Sequence, residues 1–383
     1  VGAAGDRVDD GRDHAPLALR HHREGAIEQA GDDGSLTIAT DTLQGAGGTI
    51  SSNGALHLEG DSLDLQGGQT AARRIEIDAR TLTTAGGTLT ATGTDALALR
   101  VREALDNAGG HIATNGALQL QAGTLSNRVG ELMAAGSGDT HITVAAGLDN
   151  SGGKVASNAG ALSLDAGHLV NEGGSITHAG TQLRITTGNL DGNGGSIATA
   201  GVLTLDAADI SHRNATIDAG QVVLVAAGLD NTGGRIVASG EDANTLDVAG
   251  TLDNTQGLLA GNGDLSLSAQ TLINESGTVQ HAGSGTLSMD TTTLKGEGGT
   301  VVGNGALTIT GQAIDLRGGT TAAKRIAIEA DDLSTAGAHL TATGTDLLDL
   351  RVHGTLDNTA GTIGGNGAIG LQAATFVNAR GIV

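Results

Sequence analysis

Leucine, isoleucine and valine return along this chain at regular intervals, separated by small and polar residues. In residues 105–125, LDNAGGHIATNGALQLQAGTL, the apolar positions are Leu105, Ile112, Leu118 and Leu120. The same pegs recur in LDNSGGKVASNAGALSLDAGHL from Leu148, LDNTGGRIVASGEDANTLDVAGTL from Leu229 and LDNTAGTIGGNGAIGLQAATF from Leu356. The residue that opens each copy forms a series: Leu43, Leu63, Leu82, Leu105, Leu125, Leu148, Leu169, Leu190, Ile210, Leu229, Leu252, Leu272, Leu294, Ile314, Leu333, Leu356 and Phe376. Steps of about 19 to 23 residues are the mark of a repeat architecture.

Within a repeat, apolar and polar residues alternate, as in Arg74-Ile75-Glu76-Ile77-Asp78-Ala79 and Ala161-Leu162-Ser163-Leu164-Asp165-Ala166. Period two predicts strands with one buried face. The Gly, Thr, Ser and Asn content argues against helix. Each repeat reads as three short strands, around the opening Leu, the GGxI segment and the GxLxLxA segment. Asn-x-Gly-Gly and Asn-Gly form the corners, where glycine is expected to supply positive φ. Because the repeat is directional, like residues stack on like only if successive copies wind in one sense. The expectation is an all-β parallel β-helix, or β-solenoid, of about 17 coils of roughly 21 residues. At roughly 4.8 Å per coil this predicts a rod on the order of 80 Å long. A lone coil buries four or five aliphatic side chains worth roughly 1.5 to 3 kcal/mol each, against about 1 to 2 kcal/mol per residue for ordering the backbone, so coils must stack to be stable.

Composition sharpens the picture. The 383 residues contain no Trp, Tyr or Cys and one Phe, Phe376, so the core must be thin and aliphatic. The 65 glycines lack the every-third-residue period of collagen and are interleaved with regularly placed apolar residues, which argues against disorder. The single proline, Pro16, leaves long hydrogen-bonded strands possible. A net charge of −22, spread along the chain, disfavours nucleic acid, heparin and anionic lipid as partners. No apolar run approaches a membrane span, no signal-peptide layout is present, and the chain, which lacks an initiator Met, is expected to be a piece of a longer protein. Residues 1–23, dense in Asp, Arg and His, read as an irregular lead-in segment, with repeats filling residues 24–383.

A larger duplication is also visible. Residues 43–132 align without a gap to 294–383, with roughly half the positions identical. TAARRIEIDA from Thr70 returns as TAAKRIAIEA from Thr321. Such duplication suits a spacer better than a single active site.

Asn107, Asn127, Asn150 and Asn171 hold the same place in successive repeats, as do Asn231, Asn254 and Asn274, and then Asn358 and Asn378. Two residues after an inward Leu, each is expected to point inward and to join its neighbours in a stacked amide ladder, with ligand binding as the alternative. Repeat length varies between the GGxI and GxLxL segments, near residues 92–96, 135–141, 239–245, 283–286 and 343–347. Extra residues at one corner would emerge along one edge and form a partner surface, or else drift because nothing constrains them. The acidic pairs Asp32-Asp33, Glu241-Asp242 and Asp331-Asp332 read as solvated rim rather than calcium or acid–base sites. His21-His22 and the other histidines show no metal spacing, and no catalytic or nucleotide-binding fingerprint is present.

The string LDNxGGxIxxxGxLxLxAxxLxN resembles the haemagglutinin repeat of filamentous haemagglutinin and of contact-dependent growth-inhibition effectors, exoproteins of Gram-negative two-partner secretion. The likeness covers residues 27–383. It implies a right-handed β-helix, secretion through an outer-membrane transporter that would engage an N-terminal domain absent here, and display at the bacterial cell surface. The NPNG and NPNL type motifs of that secretion domain, an RGD tripeptide and a C-terminal toxin domain are all missing from the sequence. The expected function is therefore a non-enzymatic shaft projecting a distal receptor-binding or toxin module, without cofactor, metal or small-molecule substrate, and with a host or neighbouring cell-surface receptor as a possible partner. Direct receptor or glycan binding along the loop edge is the alternative. A polysaccharide-active β-helix enzyme is a third, opposed by the lack of aromatic platforms for sugar rings.

Overall fold

The structure is a computed structural model that describes residues 25–31 and 34–383. The lead-in segment 1–23, with Pro16 and His21-His22, and the pair Asp32-Asp33 lie outside the described residues. Among those described, every regular element is a strand, and the strands stack in parallel as a β-solenoid, as the repeat predicts. Contacts divide the chain into two compact units. The first runs to Asp191 and includes Gly195–Thr199; the second comprises Gly192–Gly194 and Ala200–Val383.

In the first unit the opening leucines meet rung by rung, from Leu43↔Leu63 and Leu63↔Leu82 to Leu148↔Leu169 and Leu169↔Leu190. A second row runs Ile112↔Leu132↔Val155↔Ile176 along the GGxI strands. In the second unit Leu252↔Leu272↔Leu294↔Ile314 and Val279↔Val301↔Thr321↔Leu340 do the same. Each opening residue from Leu43 through Leu356 is within 3% of full burial. Phe376, in the last described coil, pairs with Leu356 on one side and is 44% exposed.

The three expected strands per coil are commonly two. The GxLxLxA segment and the following opening segment form one bent ladder, as in Leu118–Ser126. Its bend comes from a slip in the alternation: after Leu118, Leu120 and Ala122 point inward, Gly123 and Thr124 both stay outside before Leu125 turns in. Two consecutive outward residues turn the chain without breaking its hydrogen bonds. In Thr49–Asp64 and Gln69–Thr83 the ladder continues through all three sides.

Glycine serves two purposes at the corners, and only one is conformational. In Asn107-Ala108-Gly109-Gly110, Gly109 has φ of 62°. Gly110 does not lie in the left-handed region; a Cβ there would overlap the carbonyl oxygen of Thr84 in the preceding coil. The Asn-Gly corners correct the positive-φ expectation. Gly116 also lacks positive φ, and it is required because a Cβ would overlap the carbonyl oxygen of Asp95. Close approach of coils, not turn geometry, selects glycine there.

Six corners carry a side chain at the position of Gly109: Val129, Asn214, Gln256, Ser276, Ala360 and Arg380, with φ from 52° to 60°. Val129 is the least suited, being β-branched, and it is 75% exposed, so its side chain gains little from packing. Val129→Gly is expected to stabilise the first unit by about 1 kcal/mol. Thermal unfolding checks this, and no rise in midpoint contradicts it.

Candidate functional site

The sequence-derived asparagines sit two residues past each opening Leu, at the Asn-x-Gly-Gly corner. Asn107, Asn127, Asn150, Asn171, Asn231, Asn254, Asn274 and Asn358 are all at most 1% exposed, whereas Asn378, in the last described coil, is exposed. In the first unit Asn107 Nδ2 donates to Asn127 Oδ1 at 2.8 Å, Asn127 to Asn150 at 2.7 Å and Asn150 to Asn171 at 2.7 Å. The row opens on Thr84, whose hydroxyl donates to Asn107 Oδ1 at 2.8 Å. Each amide nitrogen also lies near carbonyls of its own and the next coil, as Asn107 does with Gly110 and Glu131 at 3.3 Å.

The second unit holds two shorter rows. Asn231 donates to Asn254 and Asn254 to Asn274, both at 2.7 Å. Gly296 and Leu316 then occupy the place of asparagine. Thr335 opens the last row by donating to Asn358 Oδ1 at 2.9 Å, and Asn358 donates to Asn378 at 2.7 Å.

One rung breaks the pattern. His212, 1% exposed, occupies the position before Asn231, and its Nε2 lies 3.4 Å from the carbonyl of Arg235. No donor reaches Asn231 Oδ1, which is buried and unpartnered. Burial pushes the His212 pKa down to about 4, with the Arg235 carbonyl opposing the shift. His178 is also buried, at the inward end of Ser175–His178, and burial lowers its pKa too. The rung positions of both histidines follow from the repeat: each falls two residues past an inward peg, Ile176 or Ile210. Spacing among the histidines themselves carries no such signal.

The aspartate of the LDN string has a part that the sequence reading did not assign. Asp106 Oδ1 accepts from the backbone N–H of Ala108 at 3.0 Å, and Asp149, Asp230, Asp253, Asp315 and Asp357 do the same for the residue two ahead. Each satisfies a donor at the corner just before the left-handed residue. For Asp149 and Asp230 burial raises the pKa, but hydrogen bonds from Ser151 and Thr232 and the cations of Arg128 and Arg213 outweigh it, leaving both carboxyls below their usual range.

The extra residues near 92–96, 135–141, 239–245, 283–286 and 343–347 do share one corner, between the GGxI and GxLxL strands. They are tied down. Asn115, Asn262 and Asn366 in the following coils donate side-chain amides to the carbonyls of Thr92, Ser239 and Thr343 at 2.9, 2.7 and 2.9 Å. Gln119 and Gln221 do likewise to Asp139 and Ala243. The expectation that length varies at one corner is incomplete. Four of these five coils carry an extra residue at the next corner, seen as register shifts after Val101, Val144, Val248 and Val352. In those four coils the GxLxL strand is bracketed by a loop on one side and a bulge on the other, whereas Thr286–Lys295, after the loop at 283–285, pairs with Leu265–Ile273 without such a shift. Of the acidic pairs, Asp331 meets His353 Nδ1 at 3.2 Å and Asp332 accepts from the N–H of Thr355 at 2.8 Å, while Glu241 and Asp242 lie exposed in a loop. Among the described residues no group of three metal-ligating side chains converges.

The haemagglutinin-repeat family model matches residues 33–109, 94–152, 134–194, 159–256, 242–293, 282–345 and 346–383, nearly the whole described chain. The chain belongs to the haemagglutinin-repeat family. No curated protein and no solved structure matched it. Each matched segment covers more than one coil, and within a coil of the haemagglutinin-repeat chain the LDN aspartate, the inward amide and the double glycine are all spent on a single corner.

Proposed function

We propose that this chain is a shaft segment of a secreted, surface-displayed filamentous adhesin or contact-dependent inhibition effector of a Gram-negative bacterium. It carries a distal receptor-binding or toxin module and performs no chemistry of its own. The observation that supports this most is the devotion of each coil's buried polar residues to the next coil. The inward asparagines of the family's repeat hydrogen-bond along the stack, which suits a structural ladder rather than a ligand site. Membership of the haemagglutinin-repeat family supports export by a two-partner secretion transporter and display outside the cell.

The internal duplication provides the test. Deleting residues 44–294 from the full-length protein removes about a dozen whole coils and joins equivalent positions. Electron microscopy is expected to show a filament shorter by about 60 Å with the distal activity intact. Loss of the filament, or a length unaltered by the deletion, refutes the shaft.

The tethered loops support a second reading, in which the looped edge itself contacts a receptor. Replacing 135–139 and 239–243 with the shorter corners of neighbouring coils should then reduce cell attachment severalfold while leaving circular dichroism unchanged. Attachment equal to that of the parent protein leaves the spacer role alone.

A further inference from the structure

The outward face of the GxLxL strands is uneven, and one stretch of it is hollow. In the first unit a cavity of about 340 Å³ opens there, lined by His57, Glu76, Asp78, Arg100, Gln119 and His141 around the small side chain of Ala98. It lies across the strands, so it runs along the stack of coils. The loops 92–96 and 135–139 flank it on one side, and the register shifts after Val101 and Val144 flank it on the other.

Its charges are unequally satisfied. Glu76 is paired with Arg74 and lies 3.7 Å from His57, and Asp78 meets Arg102 at 2.5 Å. Arg100 makes no side-chain hydrogen bond or ion pair among the described residues, so the cavity holds two neutralised carboxylates and one free guanidinium. The second copy of the duplication differs at the corresponding place. There Asp349 stands where Ala98 does, and it pairs with Arg351, the counterpart of Arg100, at 3.0 Å. Thr308, Ala327 and Gly370 replace His57, Glu76 and Gln119. The first copy has Ala98 in place of that carboxylate, a hollow around it and the same cation with no internal partner.

We infer that this hollow binds a carboxylated sugar, with the ligand's carboxylate taking the place that Asp349 occupies in the other copy. The guanidinium fork matches a carboxylate in bidentate geometry. Gln119 already donates to the Asp139 carbonyl at 2.9 Å, which leaves its Oε1 as an acceptor. Together with His141 and the nearby Gln121 and Thr143, it offers both donors and acceptors, the complement of hydroxyl groups. The net charge of −22 repels long, densely charged polyanions but tolerates a short ligand with one of its carboxylates seated on Arg100. This inference does not rest on the shaft reading, since a spacer and a sugar-binding face occupy different parts of each coil.

The test is titration of the full chain with digalacturonate and with its neutral counterpart galactobiose, followed by calorimetry and by the Arg100 side-chain Nε–H resonance. Digalacturonate is expected to saturate and to shift that resonance, with galactobiose and acetate each at least tenfold weaker. Arg100→Gln and Ala98→Asp should each weaken digalacturonate binding at least tenfold. Ala98→Asp is compatible with the fold because the second copy carries Asp there, and Arg351→Gln should leave binding unchanged. Absence of saturable binding, equal binding of galactobiose or acetate, or binding that survives Ala98→Asp in a variant of unaltered circular dichroism overturns the proposal.

Discussion

Replacing His212 with Thr is expected to stabilise the second unit, and to do so far more at pH 5 than at pH 7. Two independent effects add. Thr84 and Thr335 show that a threonine at this rung gives its hydroxyl to the next asparagine's Oδ1. His212 leaves Asn231 Oδ1 without a donor, a defect worth roughly 1 to 3 kcal/mol, offset in part by the smaller volume of threonine. A net gain of about 1 kcal/mol at pH 7 follows. The second effect is protonic. The folded pKa of about 4 lies below the unfolded value of 6.5, so the unfolded chain binds the proton first. The stability contributed by neutral His212 is complete above pH 6.5 and is lost as pH falls toward 4. At pH 5 that loss is about 2 kcal/mol, and His212→Thr removes it. Denaturant unfolding between pH 4 and 7.5 measures both. Parallel pH profiles for parent and variant would contradict the titration, and an unchanged midpoint at pH 7 would contradict the orphaned acceptor.

Asn150→Ala is expected to destabilise the first unit by about 3 kcal/mol. The substitution deletes the acceptor of Asn127 Nδ2 and the donor to Asn171 Oδ1, strands one buried oxygen and opens a void between packed corners. Asn150→Asp separates the polar from the packing contribution. It preserves shape and acceptor but sets a carboxylate oxygen against Asn171 Oδ1 inside a dry corner. Its penalty should exceed that of alanine at pH 7 and shrink as the carboxyl is protonated. Thermal melts of the two variants at pH 7 and pH 4 decide the matter. Near-parental stability of Asn150→Ala would show that the amide row contributes little.

How much of this could be read from the chain follows from how each residue is constrained. The coil was legible because its pegs are buried on every turn: Leu105, Leu125 and Leu148 recur at matched places and meet in register. The inward placement of asparagine was legible for the same reason, as a fixed offset from a buried Leu. The Asp of LDN is equally periodic, yet its role depends on a backbone donor two residues away that periodicity does not reveal. The second length variation is present in the sequence as six residues from Leu99 to Leu105 against five from Leu120 to Leu125. It is masked by the larger excess at the looped corner of the same coil. The glycine of Asn115-Gly116 was assigned to the right corner for the wrong reason, because a clash with a neighbouring coil looks, in sequence, like a need for a left-handed turn. The hollow at Arg100 depends on which outward side chains are paired, and pairing across coils is invisible to a pattern within one.

The duplication offset, from Leu43 to Leu294, spans a whole number of coils, and the inner columns explain why. A gain or loss of any fraction of a turn would set leucine against glycine, and amide against leucine, at every corner beyond the joint. Length in such a molecule is therefore quantised by its interior, while its exterior is free to vary without disturbing the count. Ala98 and Asp349 stand on that free side: two prints from one plate, inked differently where nothing inside could feel the change.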